Sequence, residues 1–280
     1  MNLVPAIKKD LALVAEMDAS LKDEHHFYLW WLGQSGFLLQ WRGKRILIDP
    51  YLSDSLTKKY AATDKPHTRM SELVIKPALL KNISIVTSSH NHTDHLDAET
   101  LIPVLENNPG IKFIIPEANR SFVAERVNCA IGFPVGLNDK QSVSFDGFTI
   151  HGVPAKHNEL DRDELGNCKY MGYVIEFGNY KIYHSGDTLW YEEMVNLLKP
   201  FSVDVALLPI NGNKPERKVA GNLDCREAAE LGKAINAGFV IPCHYDMFEF
   251  NTADVNDFII EANKINQPFK VLRGGECFIL

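Results

Sequence analysis

The sequence predicts a four-layer α/β architecture: two sheets packed face to face with helices outside both, an αββα sandwich. Three observations point there. Strand-like segments fall into two groups, each interleaved with helical ones, which suits two covered sheets better than one. The first strands are joined by links too short for the crossover that a parallel sheet requires, which disfavours a doubly wound sheet. No low-complexity linker or fixed-period repeat divides the 280 residues, so a single domain over 1–280 is expected.

The elements follow in chain order. Ile7, Leu11, Val14, Met17 and Leu21 recur at helical spacing with charges opposite, so an amphipathic helix is expected over residues 6–21. Three strands follow, Phe27–Leu32, Phe37–Trp41 and Arg45–Ile48, with hairpin links at Gly33–Gly36 and Arg42–Lys44. Residues 50–77 are polar and irregular and read as a surface excursion. A strand at 83–88, a helix from Asp97, a strand at 111–115 and a helix from Glu117 come next. Pro103 is tolerable only if it falls near the start of its helix. Val143–Ile150, Met171–Phe177 and Lys181–His184 read as β. The chain then alternates: helix 190–198, strand 203–208, helix 224–236, strand 238–241, helix 253–265 and two closing strands. Asp224 and Glu227 form a capping-box pair for the second of these helices.

Composition excludes several classes. Hydrophobic residues at 45% and charged residues at 23% are those of a globular chain, not a disordered or coiled-coil one. With 29 Lys+Arg against 36 Asp+Glu the net charge is −7, which argues against a nucleic-acid partner. The longest uncharged apolar run, Phe27–Trp41, is broken by Gly33-Gln34-Ser35-Gly36 and is too short to span a bilayer. The first ten residues lack the apolar core of a signal peptide. Five cysteines in no C-x-x-C spacing suit a reducing cytoplasm. The expected partner is a small-molecule substrate, and a homo-oligomer is compatible with the sequence.

One segment carries chemistry: Ser88-Ser89-His90-Asn91-His92-Thr93-Asp94-His95-Leu96-Asp97, directly after an apolar strand. Imidazole and carboxylate are the ligands that borderline divalent metals accept. A loop leaving a strand end can turn His90 and His92 toward one metal and Asp94 and His95 toward another. His157, Asp187 and His244 each lie just past a strand as well. A single polar residue there is usually a turn residue. Four strand ends each offering a ligand indicate convergence at one rim.

His-x-His-x-Asp-His, a lone His, a Ser-Gly-Asp and a final His is the ligand order of the metallo-β-lactamase superfamily, which this chain resembles over nearly its whole length after residue 27. Trp30-Trp31-Leu32-Gly33-Gln34-Ser35-Gly36, Tyr183-His184-Ser185-Gly186-Asp187, Asp204-Val205-Ala206-Leu207 and Val240-Ile241-Pro242-Cys243-His244-Tyr245-Asp246 are similar to the UlaG group, the L-ascorbate-6-phosphate lactonases and their relatives. The resemblance implies the αββα sandwich and two divalent ions, zinc or manganese, or iron. It implies hydrolysis of a small anionic lactone, such as a phosphorylated sugar lactone, by a hydroxide shared between the ions. His90, His92 and His157 would hold one ion; Asp94, His95 and His244 the other; Asp187 would bridge them. Asp94 would also orient the attacking water, as the catalytic group. Asp49 is either the family's early aspartate, supporting a ligand histidine, or simply a turn-initiating Asp-Pro. His184 is a further supporting candidate.

The chain is shorter than those lactonases, and its segment around His157 is closer to other members. A related branch, the N-acyl-phosphatidylethanolamine phospholipase D group, cleaves phosphodiesters, so phosphodiesterase is the alternative activity. A non-catalytic metal-binding protein is a third reading, disfavoured by the intact ligand set. Lys156, Lys214, Arg217 and Lys218 are candidates for an anionic substrate group, or form a solvated basic loop. Tyr191 and Tyr245, with Trp190, flank ligand-bearing turns and either line a pocket or fill the core. His25, His26, His67 and His151 read as ordinary surface or strand histidines.

Overall fold

Alternation along the first three strands decides the architecture. In β1 (Phe27–Gly33), β2 (Gly36–Trp41) and β3 (Lys44–Ile48), the residues Leu29, Trp31, Phe37, Leu39, Ile46 and Ile48 share one buried cluster, while Trp30, Leu38 and Leu47 belong to another. Both faces of this antiparallel meander are therefore covered, and its strands read as nearly continuous apolar runs. The computed structural model describes residues 3–280.

After β3 the chain crosses over to parallel pairing. β4 (Ile83–Thr87), β5 (Lys112–Pro116) and a three-residue β6 (Val135–Leu137) extend the sheet, and β13 (Cys277–Ile279) closes its other edge, giving the order β13-β1-β2-β3-β4-β5-β6. The second sheet runs β12-β11-β10-β9-β8-β7. Its members are β7 (Ser142–Phe145), β8 (Phe148–Pro154), β9 (Met171–Phe177), β10 (Tyr180–His184), β11 (Val205–Pro209) and β12 (Phe239–Cys243). Ile85 and Ile114 of the first sheet meet Ile150, Tyr173 and Ile175 of the second in one core cluster.

Helices cover both outer faces. Against the first sheet lie α1 (Asp10–Ala19) through Leu13 and Met17, α3 (Ala98–Asn107) through Leu101 and Val104, and α4 (Arg120–Arg126) through Val123. Against the second lie α5 (Met194–Leu198), α6 (Cys225–Ala234) and α7 (Val255–Lys264). The fold is the expected αββα sandwich. The Asp224–Glu227 capping box is fully formed. No helix among the described residues is long and apolar enough to cross a membrane, and all five cysteines are free.

The structure corrects several boundaries. The first helix starts at Asp10, not residue 6, and leaves Ile7 exposed. Pro103 is the sixth residue of α3, not near its start. It is accommodated because Glu99, whose carbonyl it leaves without a partner, is exposed to water. Val143–Ile150 is two strands joined by Asp146–Gly147, both at positive φ, the preferred chemistry for a tight hairpin turn. The excursion at 50–77 contains a short helix, α2 (Ser55–Tyr60). Of the two closing strands only β13 forms a ladder; the earlier segment makes one bridge, Val240 to Phe269.

Candidate metal centre

Strand ends build the site. β3 and β4 are parallel, with Ile48 beside Thr87, so the chain leaves both at the same rim. Asp49 follows β3 and the loop 88–97 follows β4. His157 comes three residues after β8, Asp187 three after β10, and His244 immediately after β12. His244 and Asp49 take positive φ, which turns each back across its strand end. At Gly186, φ is +60° and a Cβ would lie 2.7 Å from the Met171 carbonyl oxygen, so only glycine delivers Asp187 to this place.

The donors fall into two adjacent groups: His90, His92 and His157, and Asp94, His95, Asp187 and His244. Within each, one donor atom per residue lies within 4.8 Å of the others. Between the groups, His157 Nε2 is 3.7 Å from Asp187 Oδ2. His95 Nε2 lies 3.2 Å from Asp187 Oδ1, and His244 Nε2 lies 3.5 Å from both Asp94 Oδ2 and Asp187 Oδ2. His90 Nε2, His95 Nε2 and Asp187 Oδ1 are buried without a hydrogen-bond partner. Buried polar atoms are normally satisfied. Orphaned imidazole and carboxylate atoms converging on one point fit divalent cations, the chemistry this donor set favours.

Electrostatics divides the two groups. Burial pushes the His157 imidazole down to about 4, outweighing the Asp187 carboxylate, so the ring is neutral as a ligand must be. Burial would also lower His244, but Asp187 and Asp94 overcome it and raise it to about 9. His95 is raised for the same reason. The second group is the one where excess negative charge calls for a cation.

Supporting contacts fix the rings. The Asp49 carboxylate is fully buried; Oδ2 accepts from His95 Nδ1 at 2.8 Å and from the Ser89 amide at 3.1 Å, and Oδ1 accepts from the Thr87 hydroxyl at 2.9 Å. These bonds aim His95 Nε2 at the cluster. His157 Nδ1 donates to the Gly221 carbonyl at 3.0 Å with the same effect. His184 donates from Nε2 to the Ser35 carbonyl and accepts the Gly186 amide at Nδ1, tying the Asp187 turn to the first hairpin.

Gln34, read from sequence as part of a hairpin link, is a site residue. Its amide donates to Asp94 Oδ2 at 2.9 Å and lies equally close to His244 Nε2. The signal was a polar four-residue link between two strands too apolar to end in solvent.

The donors open onto a cleft of about 420 Å³. None of Lys156, Lys214, Arg217, Tyr191 and Tyr245 lines it. Lys156 pairs through its backbone with Leu189, and Lys214 borders a separate depression beside Asp224. Arg217 is spent on the Asn211 and Thr252 carbonyls and Asn251 Oδ1. The Tyr191 hydroxyl donates to the Pro154 carbonyl and the Tyr245 hydroxyl to Leu272, so both rings are core with a satisfied tip. The cleft takes its cations from Lys59, Lys65, Arg126 and Lys218 instead, and His67, read as ordinary, lines it too.

Fold and site together define a class: an αββα sandwich with a seven-donor His/Asp centre at one rim. The family model of the Beta-lactamase superfamily domain matches residues 28–244, and the chain belongs to that family. A UPF0173 metal-dependent hydrolase of Caldivirga maquilingensis is 29% identical over 234 residues, 82% of this chain and 87% of that protein. Igni18, a metallo hydrolase from the archaeon Ignicoccus hospitalis, superposes with TM-score 0.67 at 24% identity, covering 91% of this chain and 99% of that one. An isothiocyanate hydrolase from Delia radicum gut bacteria gives TM-score 0.70 at 22% identity, covering 90% and 98%. At these identities the two structures speak to the fold alone.

Proposed function

We infer that this chain is a metal-dependent hydrolase, and we propose that residues 1–280 act as one domain that opens a small anionic lactone. The observation that carries the reading is the convergence of seven His and Asp donors, three of them with orphaned buried atoms and five of them lining a cationic cleft. His90, His92 and His157 would hold one divalent ion, zinc, manganese or iron. Asp94, His95 and His244 would hold a second, with Asp187 between them. Bound there, such ions lower the pKa of water and polarise the electrophile.

The chain's own groups do the rest. Asp94 is the more open of the two carboxylates, its side chain 15% exposed against 4% for Asp187. Held well below the usual carboxylate range by His95 and His244, it stays ionised and can accept a hydrogen bond from an attacking water, orienting its lone pair toward the substrate. Gln34 holds Asp94 in place. Lys59, Lys65, Lys218 and Arg126 attract an anionic substrate and favour its approach in one orientation. The lactone reading rests on the UlaG-like motifs at Trp30–Gly36 and Tyr183–Asp187.

The test is kcat/KM of the metal-loaded protein on a panel of anionic lactones against bis-p-nitrophenyl phosphate. A preference for lactones supports the proposal. A preference for the diester replaces it with a phosphodiesterase that uses the same donors and the same cationic cleft.

A further inference from the structure

Part of the cleft wall is aromatic. His67 stacks on Tyr60 with ring centroids 4.4 Å apart, and Phe250 and Phe248 meet its ring edgewise at 4.5 and 5.0 Å. All four rings line the same cleft as His92, Asp94 and His244. They come from two segments far apart in sequence: α2 with its following loop, and the turn after β12.

Four hydrogen bonds hold this lobe in place. Lys65 Nζ donates to the Lys218 carbonyl at 2.6 Å, joining the 61–67 loop to the loop after β11. Arg69 donates to Asp54 and to the Ser53 carbonyl. His67 Nδ1 donates to the Lys65 carbonyl at 2.9 Å. A carbonyl only accepts, so Nδ1 carries the hydrogen and the neutral ring leaves its Nε2 lone pair available. No protein partner for Nε2 is found among the described residues.

A sugar phosphate would satisfy the cations of this cleft and leave the partly exposed rings of Tyr60, His67 and Phe250 uncovered, while Phe248, 1% exposed, backs the His67 ring. A flat unsaturated group would cover them, gaining the extra attraction that aromatic pairs show beyond simple burial. We propose that Tyr60, His67 and Phe250, backed by the buried Phe248, form the specificity subsite, and that the substrate joins its hydrolysable anionic part to a planar aromatic or conjugated group. The proposal narrows the hydrolase reading given above and rests on the cleft being its substrate site.

Binding of non-hydrolysable anions to the metal-loaded protein, measured by titration calorimetry, tests it. Methylphosphonate, cyclohexylphosphonate and phenylphosphonate share one headgroup and differ only in what reaches the lobe. Phenylphosphonate is expected to bind about tenfold tighter than methylphosphonate, and tighter than the cyclohexyl compound. Tyr60→Leu and Phe250→Leu keep an apolar side chain but remove the rings, and should each reduce that ratio by about threefold or more. A phenyl-to-methyl ratio below about fivefold, a ratio untouched by both variants, or no phosphonate binding at all overturns the proposal. Circular dichroism of the variants separates loss of the lobe from loss of fold; if both unfold, the ratio and the cyclohexyl comparison in the unaltered protein decide. Lactone turnover plays no part here. A protein that prefers phenylphosphonate yet opens no lactone keeps this subsite and loses the lactonase reading, and the reverse result does the opposite.

Discussion

Asp49→Asn probes the support beneath the metal centre. The substitution keeps shape almost unchanged, and the asparagine can turn so that its oxygen faces His95 Nδ1 and the Ser89 amide while its NH2 faces the Thr87 hydroxyl. The three hydrogen bonds at 2.8, 3.1 and 2.9 Å then survive in number. What is lost is the charge. A charge-assisted bond is roughly twice as strong as a neutral one, so His95 becomes a poorer electron donor through Nε2. Partners of this kind typically change metal affinity by about 10–100-fold, or about 1.4–2.7 kcal/mol. Fold stability should move little, because a neutral amide is cheaper to bury than a carboxylate. A shift of about 1 kcal/mol would change Tm by roughly 2–4 °C. The assay is competition for metal against a chromophoric chelator, with thermal unfolding of the metal-free protein alongside. Affinity unchanged within about threefold would refute the reasoning. A collapse of Tm together with affinity would make Asp49 a folding residue instead.

Other outcomes follow from the same structure. Arg217→Ala removes bonds linking the loops after β11 and β12, so it should lower Tm by several degrees, from about 1–3 kcal/mol lost, and leave KM unchanged; a raised KM at unchanged Tm would return Arg217 to substrate binding. Chelation should abolish hydrolysis but preserve the far-ultraviolet circular dichroism spectrum, because the donors sit on loops beyond a core built from both sheets; unfolding on chelation would contradict this. Burial pushes the thiols of Cys168 and Cys225 up to about 11 and that of Cys277 up to about 12. At pH 8 their thiolate fractions should then be about 10⁻³ or less, and alkylation by iodoacetamide, followed by mass spectrometry, should be at least about 100-fold slower than for a free cysteine. Rapid labelling of any of the three would show that its surroundings open.

Much of this site was legible because its central donors are neighbours in the chain. His90, His92, Asp94 and His95 need only a strand end and a loop to converge. His157, Asp187 and His244 were legible as a set, since each closes an apolar strand. The substrate candidates were not, because a basic residue near the rim says nothing about which way it points. Arg217 turns toward Asn251 and Thr252, partners more than thirty positions away. His67 was passed over for the opposite reason. Its surroundings depend on Phe248 and Phe250, some 180 positions later, and nothing local announces them. The fold shows the same division. The first two hairpins and the helices α3, α6 and α7 were readable, whereas the hairpin at Asp146–Gly147 was hidden in one continuous β-like run, and β6 is only three residues long, paired to β5.

The central claim is that these seven side chains hold the metal that does the chemistry. Elemental analysis of the purified protein beside its His92→Ala variant tests it most directly. The account predicts up to two divalent ions per chain, with metal content and hydrolytic activity falling together in the variant. A variant that keeps the full metal content would remove His92 from the centre and contradict the assignment of the first group of donors.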